Sequence, residues 1–453
     1  MNKLFLLLNF CFSVMGTLSA QTEIDLINAI NLDSLKQTLQ EFTGEVTTKI
    51  GGNIVTILNR GQANNDLAGD YLVDKFNAMD NLIVTDQAFN TNGRNIIATQ
   101  LGTTNPNDIY IICAHYDSVA DYCADDNASG TATVLEIARI LSTQCMDNTL
   151  IYALWDEEEI GLRGADFYAA QAQNNGDNIL GVLNIDMMGY DGDDDDDFDI
   201  DVRPIANSLA MKDDLLTLLT TYNFNLNVNV VNPGTTASDH ARFWNRGFSA
   251  VLVGESWDNN DQTPYYHSSG DRYSTLDLPY FHELAKLIMS YMATKGGLVS
   301  VDNSITVSSS SLTSNQDNAS YQWIDCSTNL PIVSEVNQSI SPQSSGSYAV
   351  EVTVGSCTEL SSCFDFMSLD AETFTLNKIN IYPNPASSTL NIEHSLNEDL
   401  TLELFSIRGK KIFEKILTEK RSKLNISQFS QGVYFIRLTQ NKKVFSQKIV
   451  IAK

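Results

Sequence analysis

The sequence predicts an α/β domain with a mixed, mainly parallel sheet flanked by helices, followed by two small all-β domains. Apolar runs typical of buried strands alternate with helical patterns before residue 200, which is the order expected of a parallel sheet with crossover helices. After residue 300 the composition turns to Ser, Thr and Val in short alternating runs, which indicates all-β structure. At 453 residues the chain is too long for one typical domain.

The predicted strands of the first domain are three apolar runs, Ile109–Ala114, Leu150–Trp155 and Ile179–Ile185. Helical patterns occupy the two intervals between them, at Ser129–Leu141 and Leu162–Ala172. Strands that alternate with helices in this way pair in parallel. In such open sheets the functional groups gather at the carboxyl ends of the strands.

Acidic and imidazole side chains are concentrated in short segments at these predicted strand ends. Imidazole together with carboxylate, without a nearby pair of thiolates, suits zinc, with manganese or cobalt as alternatives, whereas two histidines argue against calcium. One zinc site needs three protein ligands, while two zincs that share a bridging carboxylate need five. The segments are residues 115–117, 125–130, 156–159, 184–186 and 266–267.

The residues of these segments can be given separate roles. Glu158 lies next to a candidate ligand but is free of the metal, so we expect it to be the general base. Asp117 stands two residues after a candidate histidine ligand and can accept its ring N–H, which would fix the tautomer. The five candidate ligands of two zinc ions are His115, Asp126, Glu159, Asp186 and His267.

The Asp125–Gly130 segment (sequence DDNASG) and the Gly161–Gly164 segment (GLRG) resemble the zinc aminopeptidases of the M28 peptidase family, over roughly residues 30–298. The resemblance implies that Asp126 bridges the two zincs. It implies that His115 and Asp186 complete one site and that Glu159 and His267 complete the other. It further implies that Glu158 is the base and that the peptide bond between Asp126 and Asn127 is cis.

Two more segments look like parts of the same family. Ser238-Asp239-His240 is similar to a segment in which the histidine is not a ligand, so His240 is expected to line the pocket or to support a ligand. Tyr266 resembles a tyrosine that in some members polarises the scissile carbonyl, and the neighbouring Tyr265 competes for this role.

These observations predict a secreted dizinc metallopeptidase that hydrolyses the N-terminal peptide bond of peptides with a free N-terminus. Two alternatives are an aminoacyl transferase similar to glutaminyl cyclases, which use one zinc, and a metal-free binding domain without catalysis. The complete set of five ligands favours hydrolysis. The sequence leaves open the preferred side chain, the choice between aminopeptidase, carboxypeptidase and dipeptidase, and the oligomeric state.

Residues 1–20 have the features of a secretory signal peptide. Lys3 precedes an apolar stretch from Leu4 to Val14, and Leu18-Ser19-Ala20 provides a small-residue cleavage site. No other run approaches the roughly 20 apolar residues that a membrane-spanning helix requires. We therefore predict export without a transmembrane segment.

The formal net charge of −28 is unevenly distributed. Residues 376–453 hold 13 Lys and Arg against 6 Asp and Glu, so the acidic excess lies in the preceding part, which should repel nucleic acid and anionic membranes. The densest acidic run is Asp191–Asp201. Its spacing fits no EF-hand, and a solvated loop is favoured over a calcium site, although calcium remains open.

The residues after Gly297 divide into two predicted domains. Residues 301–368 resemble immunoglobulin-like modules of secreted bacterial proteins, and residues 376–453 resemble the C-terminal sorting domain of the type IX secretion system. The first domain is then 21–300. The sorting domain implies delivery to the cell surface or the medium by the type IX machinery, with its later removal left open.

Six cysteines remain after the predicted signal peptide. Export permits disulfides. Within the immunoglobulin-like module Cys326 can pair with Cys357 or with Cys363, and the sequence does not decide between them. It also leaves open whether the other three, Cys113, Cys123 and Cys145, form disulfides.

Overall fold

The computed structural model describes residues 22–61, 64–257, 261–308, 310–355, 357–367, 379–396, 399–440 and 443–453. The predicted signal peptide, residues 1–20, lies outside them. The chain divides into two compact units. The first holds the described residues up to Thr306 together with 313–339 and 349–363, and the second holds 307–312, 340–348 and the described residues from 364 onward.

The first unit contains the α/β domain. Its helices are α1 Glu23–Asn28, α2 Leu32–Phe42, α3 Asn65–Asn77, α4 Gly130–Leu141, α5 Arg163–Asn175, α6 Ser208–Thr221, α7 His240–Trp244 and α8 Leu278–Gly296. Its strands are β1 Thr48–Ile50, β2 Asn53–Val55, β3 Ile83–Ala88, β4 Arg94–Gln100, β5 Asn105–His115, β6 Asn148–Trp155, β7 Asn178–Ile185, β8 Asp197–Asp201, β9 Asn227–Val231 and β10 Ala250–Glu255.

Eight of these strands form one mixed sheet in the order β3-β4-β6-β5-β7-β10-β8-β9. The central strands β6, β5, β7 and β10 run parallel to one another. Strands β4 and β8 pair antiparallel to the two edges of this central group. The predicted fold class is therefore confirmed, and the three predicted strands are β5, β6 and β7.

The central strands are buried on both faces, which explains their continuous apolar sequence. Because side chains alternate along a strand, Ile112 and Ala114 of β5 join the hydrophobic cluster that contains residues of α4 and α8. Ile111 and Cys113 join the other cluster, which contains residues of α5 and α7. The two helical layers thus enclose the sheet and fix the positions of its strand ends.

The two predicted helices are confirmed with small changes at their ends. Helix α4 begins one residue later than predicted, at Gly130, because the preceding residues Ala124–Ser129 form an irregular turn with non-helical dihedral angles at Asp126 and Asn127. Helix α5 extends to Asn175, three residues further than predicted, and ends where Gly176 adopts φ +73°. A glycine tolerates that left-handed conformation without steric cost.

The residues that follow α8 are all β. Their strands are β11 Ile305–Val307, β12 Leu312–Ser314, β13 Ser320–Asp325, β14 Leu330–Pro331, β15 Ser339–Ile340, β16 Gly346–Val354, β17 Cys357–Leu360 and β18 Phe364–Phe366. Within the first unit, β16 and β17 form an antiparallel hairpin. Of the two pairings left open for Cys326, the structure has the bond to Cys363.

Cys357 instead forms a disulfide with Cys145, which follows α4 of the α/β domain and lies 212 residues earlier in the chain. Both residues belong to the first unit. Cys113 and Cys123 are free and buried. The sequence could not reveal this pairing because it joins two predicted domains.

The second unit contains an all-β domain with strands β19 Ile379–Tyr382, β20 Thr389–His394, β21 Leu400–Ser406, β22 Lys411–Leu417, β23 Arg421–Asn425, β24 Gly432–Gln440 and β25 Lys443–Ile451. They form a three-stranded sheet, β19-β20-β23, and a four-stranded sheet, β22-β21-β24-β25. Inward-facing residues such as Leu390, Leu402 and Ile436 form one core. Across the described residues no helix combines the length and apolarity needed to span a bilayer.

Candidate metal centre

The candidate ligands come from four neighbouring strands of the sheet. His115 is the last residue of β5, and Asp186 follows β7 directly. Asp126 lies in the turn between β5 and α4, Glu159 lies in the loop after β6, and His267 lies in the loop after β10. Because the carboxyl ends of parallel strands meet at one edge of the sheet, residues distant in sequence become neighbours here.

The five side chains meet as two groups that share Asp126. In one group, His115 Nε2 lies 3.2 Å from Asp126 Oδ1 and 3.3 Å from Asp186 Oδ1. In the other, His267 Nε2 lies 3.3 Å from Asp126 Oδ2 and 3.2 Å from Glu159 Oε2. Each oxygen of Asp126 therefore faces a different imidazole.

These separations suit a tetrahedral metal. Two ligand atoms about 2.0 Å from a tetrahedral ion lie about 3.3 Å from each other, which is the spacing of the imidazole and carboxylate atoms in both groups. Three of the carboxylate oxygens, Asp126 Oδ2, Asp186 Oδ1 and Glu159 Oε1, are buried without a hydrogen-bond partner. Buried carboxylates without partners are costly, so the residues fit a pair of bound cations.

The pKa of His115 also reflects the surplus of negative charge in the site. Burial by itself lowers the pKa of this imidazole, but the carboxylates of Asp186 and Glu158 and the hydrogen bonds with Asp117 and Asp126 raise it well above its usual value. A proton on His115 would therefore replace part of the charge that a metal ion would supply.

Asp117 contacts both the ligand His115 and the loop after β6. Its carboxylate accepts hydrogen bonds from the backbone N–H of Glu158 at 3.1 Å and of Glu159 at 3.2 Å. Asp117 Oδ1 also lies 3.4 Å from Nδ1 of His115, the ring nitrogen opposite the candidate metal. A single buried carboxylate thus orients a histidine and the loop that carries two glutamates.

Glu158 lines the same cavity but belongs to neither group of candidate ligands. Burial raises the pKa of its carboxyl, and the carboxylates of Asp239, Asp186 and Glu159 raise it further against the opposing effect of His115. A carboxyl with a raised pKa next to the reaction centre is suited to accept and return a proton.

The turn that carries Asp126 is held by a residue that the sequence argument missed. Asp271 accepts hydrogen bonds from the backbone N–H of Asp125 and of Asp126, the latter at 3.0 Å. Asn127 donates from its side chain to Ile185 O at 2.9 Å, which ties the turn to the end of β7. The peptide bond between Asp126 and Asn127 is cis, as the family resemblance implies. The one signal for Asp271 in the sequence is its position four residues after His267.

The Ser238-Asp239-His240 segment supports the site through a hydrogen bond to the candidate ligand Asp186. Ser238 Oγ donates to Asp186 Oδ2 at 2.6 Å and accepts from the side chain of Asn184 at 2.8 Å. The ring of His240 packs edge-on against Trp244, with 4.4 Å between centroids, and its Nε2 lies 3.0 Å from Thr235 O. Burial lowers the pKa of His240 to about 4, so this ring is neutral. It belongs to neither ligand group.

Tyr266 and Tyr265 differ in their relation to the site. The ring of Tyr266 stacks on the ring of His267 with 3.7 Å between centroids, and Tyr266 lines the cavity. Tyr265 is not among the described residues that line it. Trp257 meets Tyr266 edge-on at 5.0 Å. The cavity has a volume of about 390 Å³, and its remaining lining residues include Gly161, Leu162, Met187, Ala237 and Arg242.

A second cluster of carboxylates lies after β7 and in the loop after β10. It contains Asp191, Asp193, Asp195 and Asp261, whose oxygens approach within 4.8 Å of one another. Asp191 Oδ2 accepts the backbone N–H of Asp196 at 3.0 Å, and both oxygens of Asp261 accept the N–H of Gly192 at 3.1 Å. Asp191 Oδ1 is buried without a partner. Asp193 and Asp195 are exposed.

Comparison with known proteins assigns the region that contains these residues. Residues 95–292 match the model of peptidase family M28. This chain carries a domain of peptidase family M28. All five candidate ligands of the M28 domain, together with Glu158, fall inside the matched range.

The relatives of the M28 domain include proteins named as metalloproteases and as aminopeptidases. A probable zinc metalloprotease of Leptosphaeria maculans is 40% identical over 21% of this chain and 24% of that protein. Leucine aminopeptidase 1 of Trichophyton equinum is 29% identical over 44% of this chain and 56% of that protein. The chain thus spans from about a quarter to about half the length of these curated relatives.

The solved structure of the LapA aminopeptidase from Legionella pneumophila shares the fold. Its TM-score is 0.53 at 19% identity, and the match covers 66% of this chain and 81% of that one. At this identity the likeness concerns the fold alone.

Residues 380–452 match the model of a secretion system C-terminal sorting domain. The predicted type IX sorting domain is therefore confirmed. It indicates export to the cell surface or the medium.

Proposed function

We propose that this protein is a secreted aminopeptidase that holds two zinc ions through His115, Asp126, Glu159, Asp186 and His267. The observation that carries the proposal is the position of Asp126, whose two oxygens face two different imidazoles, each with a further carboxylate beside it. Relatives named as zinc metalloproteases support zinc as the metal, and a relative named as a leucine aminopeptidase supports cleavage at the N-terminus.

Bound zinc would supply Lewis-acid polarisation of the scissile carbonyl and a lowered pKa for the attacking water. Glu158 takes one proton from that water as its oxygen attacks the carbonyl carbon. When the carbon–nitrogen bond breaks, Glu158 returns the proton to the nitrogen of the departing amine. The raised pKa of Glu158 suits both transfers, because the carboxyl must hold the proton between them.

Asp117 and Tyr266 assist the reaction in different ways. Asp117 positions His115 through its Nδ1 and the glutamates through their backbone N–H groups. Burial and the nearby carboxylates of Asp126, Asp186 and Glu159 raise the pKa of Tyr266. The phenol therefore keeps its proton near neutral pH and can donate a hydrogen bond to the carbonyl oxygen, where negative charge develops during attack.

The proposal also covers the organisation of the chain into domains. We assign residues 21–300 to the peptidase, 301–368 to an immunoglobulin-like spacer and 376–453 to the address that the type IX secretion machinery recognises. The substrates are peptides with a free N-terminus, and the ligands all precede residue 270. Removal of the sorting domain after export would therefore leave every proposed ligand in place.

The test combines metal analysis with a substrate panel on the purified exported protein. We expect about two zinc ions per chain, hydrolysis of alanyl-leucine amide, and no hydrolysis of the same peptide after N-acetylation, because the acetyl group removes the free amine. Zinc at one ion per chain together with cyclisation of N-terminal glutamine would support the transferase alternative. Equal hydrolysis of free and acetylated peptides would contradict an aminopeptidase.

A further inference from the structure

Arg242 is a cation in the wall of a site whose other charged groups are largely acidic. It lies on the short helix α7, is half-buried, and lines the cavity together with Glu158, Gly161 and Leu162. Among the described residues that line this cavity, Arg242 carries the permanent positive charge. Neither the proposed metal binding nor the proposed proton transfer gives Arg242 a role.

The guanidinium of Arg242 is incompletely partnered. Its Nη2 donates to the backbone carbonyl of Gly161 at 2.9 Å, whereas its Nε is buried without a hydrogen-bond partner. Within the described part of the chain it forms no salt bridge. A buried donor on a charged group gains from a carboxylate partner, because charge-assisted hydrogen bonds are stronger than neutral ones.

Arg246, four residues further along, provides a contrast. Its Nη2 forms a salt bridge with Asp166 at 3.1 Å, and it does not line the cavity. The two arginines share half-burial and lie close in sequence. The difference lies in their partners: Arg246 forms a salt bridge with Asp166, whereas Arg242 acts on the buried Asp239 only through space, without a salt bridge among the described residues, and lines the cavity.

The backbone carbonyl that Arg242 contacts belongs to the turn after the two glutamates. Gly161 adopts φ +122°, in a segment where Leu162 also has positive φ. Arg242 therefore stands next to the loop that carries Glu158 and Glu159, within the same cavity. A substrate group that reaches Arg242 would be part of the residue, or of the neighbour of the residue, whose peptide bond is cleaved.

We infer that Arg242 selects peptide substrates that present a carboxylate next to the scissile bond. This inference rests on the proposed aminopeptidase activity and names its substrate class. The carboxylate has two sources with the same chemistry, which are an acidic side chain on either residue that flanks the bond and the free C-terminus of a dipeptide. A guanidinium recognises both by paired hydrogen bonds.

The experiment compares matched substrates that differ only by a carboxylate and its amide. The pairs are Glu-Ala-amide with Gln-Ala-amide, Ala-Glu-amide with Ala-Gln-amide, and Ala-Leu with Ala-Leu-amide. In the zinc-loaded wild-type protein we expect kcat/KM to favour the carboxylate in at least one pair by about 10- to 100-fold, the range of a charge-assisted hydrogen bond. The pair that shows the preference identifies the source.

Arg242→Met should abolish that preference while keeping hydrolysis of the neutral member of the pair. Arg242→Lys, which keeps the charge but loses the planar fork, should retain only part of it. Arg246→Met is the matched control, and it should leave all three ratios as in the wild type.

Two results would overturn the inference and leave the proposed function intact. One is a set of ratios that Arg242→Met does not change. The other is an equal fall of all six rates in Arg242→Met, which would mean that Arg242 only positions the loop at Gly161. Failure of wild-type protein to hydrolyse even Ala-Leu-amide would instead overturn the proposed function, and the inference with it.

Discussion

Two clusters of carboxylates lie on the M28 domain, and they differ in nearly every property that matters for holding a cation. The candidate metal centre mixes two imidazoles with three carboxylates and has buried oxygens without partners. The cluster of Asp191, Asp193, Asp195 and Asp261 has carboxylates alone, two of them on exposed residues. Four of its oxygens accept backbone N–H groups, and one, Asp191 Oδ1, is buried without a partner.

The difference shows why acid density alone does not identify a metal site. In the exposed cluster, backbone N–H groups donate to four of the carboxylate oxygens, and Asp193 and Asp195 are exposed to solvent. In the candidate centre, carboxylate oxygens are buried without hydrogen-bond partners. The cost of that burial is what a bound cation would offset.

The sharpest test of the comparison is one substitution in each cluster. Asp126→Asn should remove both zinc ions or nearly so, and should lower kcat/KM by about a thousandfold or more, because the metal supplies several kcal/mol of transition-state stabilisation. Asp193→Asn makes the same change of charge, but it should keep the zinc content and the kcat/KM of the wild type. Zinc content by elemental analysis and peptidase rate check both variants. Equal loss of zinc from the two variants would show that the two clusters do not differ in their role in zinc binding.

A second test asks whether a buried acid of the centre can be altered without loss of metal. Glu158→Gln should retain the zinc of the wild type and lower kcat by about 10²- to 10⁴-fold, because it removes only the proton carrier. An active Glu158→Gln protein would refute the assignment of the base. Loss of zinc from it would show that Glu158 is a ligand.

A third test compares stability with and without metal as the pH changes. In the metal-free protein, burial together with neighbouring carboxylates raises the pKa of Glu159 and of Asp239, each to about 8. A carboxyl whose folded pKa is raised contributes stability that is complete below its unfolded pKa, about 4, and is lost as the pH rises through the folded value. Metal-free protein should therefore become less stable between about pH 4 and pH 8.

Zinc should reverse this trend, because it binds the deprotonated ligands and competes with protons for them. Denaturant unfolding at several pH values, with zinc and with a chelator, measures both slopes. The metal-free protein should show a falling free energy of unfolding, and the gain from zinc should grow with pH. A zinc contribution that stays constant from pH 5 to pH 8 would contradict a centre built from protonatable ligands.

Much of the fold was predictable because its signals are local. The apolar runs that became β5, β6 and β7 needed no long-range information, and their strand ends marked His115, the loop with Glu158 and Glu159, and Asp186. The assignment of the five ligands to two metal sites remains a prediction. What the structure adds is that all five side chains meet, which sequence spacing alone could not show.

Other features were not predictable because they depend on the folded arrangement. Asp271 acts on the backbone of Asp125 and Asp126, which precede it by about 145 residues. The disulfide between Cys145 and Cys357 joins two predicted domains. Strands β3, at the edge of the sheet, and β4, next to it, have mixed sequences. The place of β4 follows from its pairing with β6, and that of β3 from its pairing with β4, rather than from a pattern of their own.

The smallest expected effect concerns the exposed cluster, whose charges act only at a distance. The double variant Asp193→Asn/Asp195→Asn should keep the wild-type kcat and lower kcat/KM for a peptide with an N-terminal lysine by no more than about threefold at low salt, since exposed charges steer cations weakly. The difference should disappear at about 1 M salt, where the screening length falls to about 3 Å. Added calcium should not raise the thermal stability of the wild-type protein, because backbone N–H groups already donate to four oxygens of this cluster and two of its four carboxylates are on exposed residues. A calcium-dependent rise in melting temperature that the double variant lacks would show instead that this cluster binds a cation, and the contrast between the two clusters would then be one of metal type rather than of occupancy.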